Sequence, residues 1–179
     1  MAKTKVKSTK VEEPQVKAGV GVVLCKGHKV LVGERIGSHG EGVLAFPGGH
    51  LDHEDALKPH PLGGMGVCAE REVKEETGII CRAFSPDHYR IDLFTTFDIL
   101  SEDGQKVYVT PYIVADYLHG GTSQKFGDTE TIVPLEPNKC KKWQWVSLDE
   151  LATLVNTDKQ KTWIPIQQVL FYLKQLWRI

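Results

Sequence analysis

The sequence predicts an α+β or layered α/β/α domain. Three observations carry this. Short Val-rich or alternating apolar runs recur from residue 18 to residue 146, each bounded by Gly, Pro or polar residues. Helix signals stand at 67–77, after Ser147 and around Pro165. The chain, at 179 residues, has length for one core and a tail but not for two full domains.

In chain order, the first 17 residues carry Lys3, Lys5, Lys7, Lys10 and Lys17 with little to bury. They read as a flexible, solvated tail, so the domain is expected over 18–179. Runs 18–25 (AGVGVVLC) and 29–35 (KVLVGER) flank Gly27-His28, which is a hairpin signal. Residues 37–42 read as loop and 43–46 (VLAF) as a short buried strand ending at Pro47-Gly48-Gly49. The stretch 57–66 contains two Pro and three Gly and reads as loop, its Gly63-Gly64-Met65-Gly66 lacking any Walker-type lysine. Residues 67–77 lack Pro and Gly and are rich in helix formers, with Gly78 just past the end. Strands are expected at 79–84, 91–100 and 106–118, the last two paired across 101–104, and at 142–146 (KWQWV). Ser147 with Glu150 forms a capping-box pattern for a helix to Val155, and Pro165 suits the first turn of a last helix.

Composition excludes several classes. Apolar residues make up 41% and charged residues 25%, as in a globular protein. With 22 Lys+Arg against 23 Asp+Glu the net charge is −1, which argues against a nucleic-acid polymer or an anionic membrane as partner. No apolar run approaches the roughly 20 residues that span a bilayer, and the N-terminal stretch has no secretory apolar core. Cys25, Cys68, Cys81 and Cys140 are scattered with no Cys-x-x-Cys pair, so reduced thiols and a cytoplasmic location are expected. His50, His53 and His60 fit no standard zinc spacing.

The stretch that carries chemistry is Arg71-Glu72-Val73-Lys74-Glu75-Glu76-Thr77-Gly78-Ile79. On a helix Glu72 and Glu76 stack on one face and Glu75 flanks them. Carboxylates this close repel one another, and a hard cation such as Mg²⁺ or Mn²⁺ relieves that repulsion while bridging protein to phosphate. A solvated acidic face with Arg71 and Lys74 as counter-charges is the plainer alternative. Phe46-Pro47-Gly48-Gly49-His50-Leu51 and the acids Asp52, Glu54 and Asp55 just upstream favour the cation site.

These residues resemble the signature of the Nudix hydrolases: Gly, five residues, Glu, seven residues, Arg-Glu-apolar-x-Glu-Glu-x-Gly-apolar. Every fixed position from Arg71 to Ile79 matches. The first signature acid is Asp55 counting from Gly49, or Glu54 counting from Gly48. Fifteen residues separate Asp55 from Arg71 where the signature has seven, which reads as an eight-residue insertion within 57–66. Pro47–Leu51 and Glu136-Pro137-Asn138-Lys139-Cys140, followed by Trp143 and Trp145, are similar to the MutT-like branch that hydrolyses nucleoside triphosphates, oxidised purine forms included.

The resemblance implies a Nudix-type α/β/α sandwich with a mixed β-sheet, and attack of a metal-activated water on phosphorus. It assigns Glu72, Glu76 and Glu75 as Mg²⁺ (or Mn²⁺) ligands and Arg71 as an orienting residue paired with the first signature acid. Glu136 is the candidate general base, with Glu130 behind it. Gly48 and Gly49 are candidates for shaping the substrate site, and Arg35 and His50 for touching phosphate. Trp143 and Trp145 share a strand face; Trp145 is the candidate for stacking on a nucleobase, with core packing expected for at least one of the two. The implied partner is a small nucleotide, and homodimers are common among similar proteins. The leading reading is a Mg²⁺-dependent pyrophosphohydrolase releasing nucleoside monophosphate and pyrophosphate. The alternatives are a pyrophosphatase for ADP-ribose, dinucleotides, coenzyme A or another nucleoside-diphosphate-linked substrate, and a catalytically silent nucleotide-binding module.

Overall fold

A continuous Val-rich run starts the structure, because a strand buried on both faces must be apolar at every position. The computed structural model describes residues 15–37, 40–80, 94–99, 106–117, 131–162 and 164–177. Strand β1 (Gln15–Lys26) turns at Gly27-His28 into β2 (Lys29–Arg35), antiparallel with Cys25 opposite Val30. Val20, Val22 and Leu24 of β1 enter one core; Val23 and Cys25 enter the other.

The two strands then diverge, and the next segment fills the gap. Strand β3 (Leu44–Ala45) pairs with β2, strand β4 (Gly48–His50) pairs with β1, and the Val22 N–H donates to the Pro47 carbonyl between them at 2.8 Å. Helices α1 (His53–Ala56) and α2 (Gly63–Thr77) follow. Strands β5 (Phe94–Ile99) and β6 (Lys106–Asp116) are antiparallel to each other, and β6 lies parallel to β1 from Gln15↔Lys106 to Cys25↔Asp116. Strands β7 (Thr131–Ile132) and β8 (Cys140–Ser147) extend the other edge, giving the order β5-β6-β1-β2-β8-β7. Helices α3 (Leu148–Thr157) and α4 (Ile164–Trp177) complete the described chain.

The sheet is mixed and lies between helices, as the sequence predicts. Cys68, Ala69 and Val73 of α2 pack on the face that also buries Trp143 and Trp145. Leu151 and Val155 of α3 with Ile166, Val169 and Leu173 of α4 pack on the opposite face. The expected Ser147–Glu150 cap is present: Ser147 Oγ accepts from the Glu150 N–H at 3.2 Å.

Three local expectations change. Residues 63–66, expected as loop, form the first turn of α2, so the connection after α1 narrows. The His60 carbonyl accepts from the Gly63 N–H at 2.8 Å and His60 Nδ1 from the Leu62 N–H at 3.0 Å. A side chain at Gly66 would strike the His60 ring, and one at Gly64 would meet Ala56 Cα at 2.9 Å. Close packing against α1 therefore overrides the poor helix propensity of glycine. Helix α1 and strand β4 are additions, and Gln15 to Lys17 belong to β1 rather than to a tail. Residues 1–14, 81–84 of the expected 79–84 strand, and Cys81 lie outside the described residues. Cys25, Cys68 and Cys140 are buried. Among the described residues no helix is long and apolar enough to cross a membrane.

Candidate active site

Helix α2 turns Cys68, Ala69, Glu72, Val73 and Thr77 inward, so its acidic face starts at the core rather than in solvent. Glu72 and Glu76 come to rest on the backbone of β4. The Gly48 N–H donates to Glu76 Oε2 at 3.1 Å. Gly48 has φ 151°, in the region that favours glycine, and a Cβ there would strike the Val20 carbonyl. At Gly49 the constraint is space, since a Cβ would overlap the Glu72 carboxylate. The Gly48-Gly49 pair thus lets two carboxylates approach a bare strand.

Arg71 fixes the helix in that position. Its Nε donates to Asp55 Oδ1 at 3.2 Å and its Nη2 to Asp55 Oδ2 at 2.9 Å, a forked pairing. The same Nη2 reaches the His50 carbonyl at 3.0 Å, while Nη1 reaches Glu72 Oε1 at 2.8 Å and Glu75 Oε2 at 3.2 Å. Asp55 is 1% exposed, whereas Glu54 faces solvent. Asp55 is therefore the acid that meets Arg71, and the long spacing between them is spanned by the connection and the added turn of α2. The Arg71 hydrogen bonds hold the Asp55 carboxyl below its ordinary value, and those to Asp55 and then Glu72 raise the guanidinium against the effect of burial.

Glu72 and Glu76 shift the opposite way. Burial raises Glu72, with Arg71 opposing. Burial also pushes Glu76 up to about 8; the Gly48 N–H opposes this and the charges of Glu72 and Glu136 add to it. Glu75 is the exposed member, with 53% of its side chain accessible.

The loop before β8 closes over the C-terminal end of α2. The Glu76 carbonyl, unpaired within the helix, accepts from the Leu135 N–H at 3.0 Å and from Trp143 Nε1 at 3.2 Å. Glu136 Oε1 pairs with Lys139 Nζ at 2.8 Å. Its Oε2 is buried and meets no donor among the described residues. Arg35 stands opposite Cys140, with the Lys139 carbonyl accepting from the next N–H, that of Ile36, at 2.8 Å.

The structure thus brings together Arg71, Glu72, Glu75, Glu76, Gly48, Gly49 and His50, with Glu136 beside Glu76. Trp145 is placed elsewhere. It is 7% exposed, opposite Leu31 near the β1–β2 turn, with Tyr117 at 5.3 Å and Lys26 Nζ 5.9 Å from its ring centre. Core packing therefore describes both tryptophans, and the expected stacking role for Trp145 gives way to it. His50 is exposed beside Tyr108, ring centres 5.7 Å apart. Sequence reasoning missed Lys139 and the Trp143 link; the Glu136-x-x-Lys139 spacing was the available signal for the first.

The donor set suits a hard divalent cation, being carboxylate oxygens that include the orphaned Glu136 Oε2. Among the described residues no three such side chains converge on one point: Glu72 and Glu75 are turned onto Arg71, Glu76 onto the Gly48 N–H and Glu136 onto Lys139. Glu72, Glu75 and Glu76 would hold the ion after rotating off these internal partners.

The NUDIX domain model matches residues 16–167. A MutT NUDIX hydrolase from Burkholderia pseudomallei is 23% identical over 76% of this chain and 86% of its own, with a TM-score of 0.55. A NUDIX hydrolase from Alicyclobacillus acidocaldarius is 18% identical over 88% and 90%, with a TM-score of 0.61. A bifunctional NMN adenylyltransferase/ADP ribose pyrophosphatase from Francisella tularensis, complexed with AMP and a Mn ion, is 17% identical over 92% of this chain but 43% of its own, with a TM-score of 0.62. At these identities the solved structures share the fold alone. The domain match extends through β1, the acidic helix and β8 into α4, and on that basis the chain belongs to the NUDIX family of hydrolases.

Proposed function

We propose that the chain is a Mg²⁺- or Mn²⁺-dependent pyrophosphohydrolase that cleaves nucleoside triphosphates, oxidised purine forms among them, to nucleoside monophosphate and pyrophosphate. The observation that carries this reading is the seating of Glu72 and Glu76 on the Gly48-Gly49 backbone, with Arg71 anchored to Asp55 behind them. When bound, a divalent cation supplies positive charge to the phosphates and makes the attacking water more acidic. The chain's own residues do the positioning. Asp55 and Arg71 lock α2, which fixes where the roots of Glu72 and Glu76 stand against β4. Glu136 Oε2, with no donor of its own among the described residues, is the atom to receive the proton of the attacking water. Arg35 and His50 would serve as phosphate contacts in this reading.

The test is turnover by the purified full chain with Mg²⁺ on canonical and oxidised nucleoside triphosphates, ADP-ribose, dinucleotides and coenzyme A. Monophosphate and pyrophosphate from the triphosphates is the expected result. Cleavage confined to the diphosphate-linked compounds would move the substrate class, and tight nucleotide binding without turnover would overturn the enzymatic reading.

A further inference from the structure

Glu72 and Glu75 lean on Arg71 and Glu136 on Lys139, and the two cations are held differently. Arg71 is fixed on several sides, by Asp55, the His50 carbonyl, Glu72 and Glu75. Lys139 has Glu136 as its ion-pair partner among the described residues, and 58% of its side chain is exposed. Its root is nevertheless rigid. The Lys139 N–H donates to the Glu136 carbonyl at 2.9 Å, and the Lys139 carbonyl accepts from Ile36 at 2.8 Å. A flexible four-carbon tether therefore carries an ammonium from a fixed point beside the carboxylates. Its charge acts on Glu72 and Glu76 as well as on Glu136.

We propose that Lys139 is a built-in counter-cation: it holds Glu136 beside Glu76 when no divalent ion is present, and it competes with that ion for the carboxylates. The inference rests on the reading of these carboxylates as metal ligands. Glu136 is half satisfied, with Oε1 on the ammonium and Oε2 buried without a donor. A divalent ion held by Glu72, Glu75 and Glu76 would meet the repelling ammonium beside them. The ammonium then moves to solvent, which its exposure allows, while Arg71 stays. Lys139 is thus a positioning residue whose charge weakens ion binding and stabilises the ion-free protein.

Lys139→Met and Lys139→Arg in the full chain test this, with free Mn²⁺ followed by its paramagnetic resonance and melting recorded in EDTA. Far-UV circular dichroism confirms folding of each variant. Removing one positive charge near a divalent ion is expected to tighten Mn²⁺ binding of Lys139→Met about 3- to 10-fold. That variant also melts below wild type in EDTA, and Lys139→Arg behaves as wild type. Wild-type or weaker Mn²⁺ affinity in Lys139→Met overturns the proposal and leaves the metal-ligand reading standing. Absence of Mn²⁺ binding by wild type itself overturns both.

Discussion

Arg71 and Asp55 face each other in a two-pronged contact, Nε to Oδ1 at 3.2 Å and Nη2 to Oδ2 at 2.9 Å, that joins α2 to α1 across the whole intervening connection. Asp55→Asn keeps the shape but removes the charge and turns an acceptor into a donor facing Arg71. The expected loss is about 2–3 kcal/mol, below the range for fully buried pairs because Arg71 keeps partial exposure. Urea denaturation measures it, and an unchanged midpoint would refute the anchoring role.

The same pair fixes an acid limb of stability. The folded Asp55 carboxyl titrates below its ordinary value, so its contribution is complete above the unfolded pKa and disappears as pH falls through the folded one. The stability gap between wild type and Asp55→Asn should therefore be full at pH 6 and shrink steadily below about pH 4. Equal gaps at pH 6 and pH 3 would contradict this.

Glu76 predicts the reverse sign. Its carboxyl is raised to about 8, so the ion-free fold loses stability as pH climbs from the ordinary carboxylate value through 8. In EDTA at pH 8, Glu76→Gln should melt several degrees above wild type, with the difference fading toward pH 5. Saturating Mg²⁺ should reverse the order by stabilising wild type alone. Turnover by the variant should fall by about 100-fold or more.

Gly49→Ala places a methyl group on the Glu72 carboxylate. The expected result is a fall in kcat of about 10- to 100-fold together with weaker Mn²⁺ binding, read by steady-state kinetics and calorimetry. Wild-type kinetics in this variant would mean that Glu72 need not lie against β4.

Much of this was legible from local pattern. The β1–β2 hairpin, the acidic helix and the Ser147 cap each declare themselves within one short local stretch of chain. What escaped depends on distant partners. Strand β4 is three residues with two glycines, and only its pairing with Gly19, Val20 and Gly21 makes it a strand. The glycines at 63–66 read as a breaker until α1 packs against them. Trp145 is drawn into the core by its register opposite Leu31, and Lys139 reaches the site because β8 docks beside β2. Helix periodicity carries no record of either docking.

The acidic helix and its seat lie between residues 48 and 77, whereas Leu135, Lys139 and Trp143 come more than fifty residues later. During synthesis, the acidic helix is therefore complete before the loop that caps its last carbonyls, and the Lys139 ammonium, have been made. The parallel β6 that closes the other edge of β1 is likewise still to come. Such non-local pairing is slow, so the nascent N-terminal half leaves one edge of its central strand open until β6 is made.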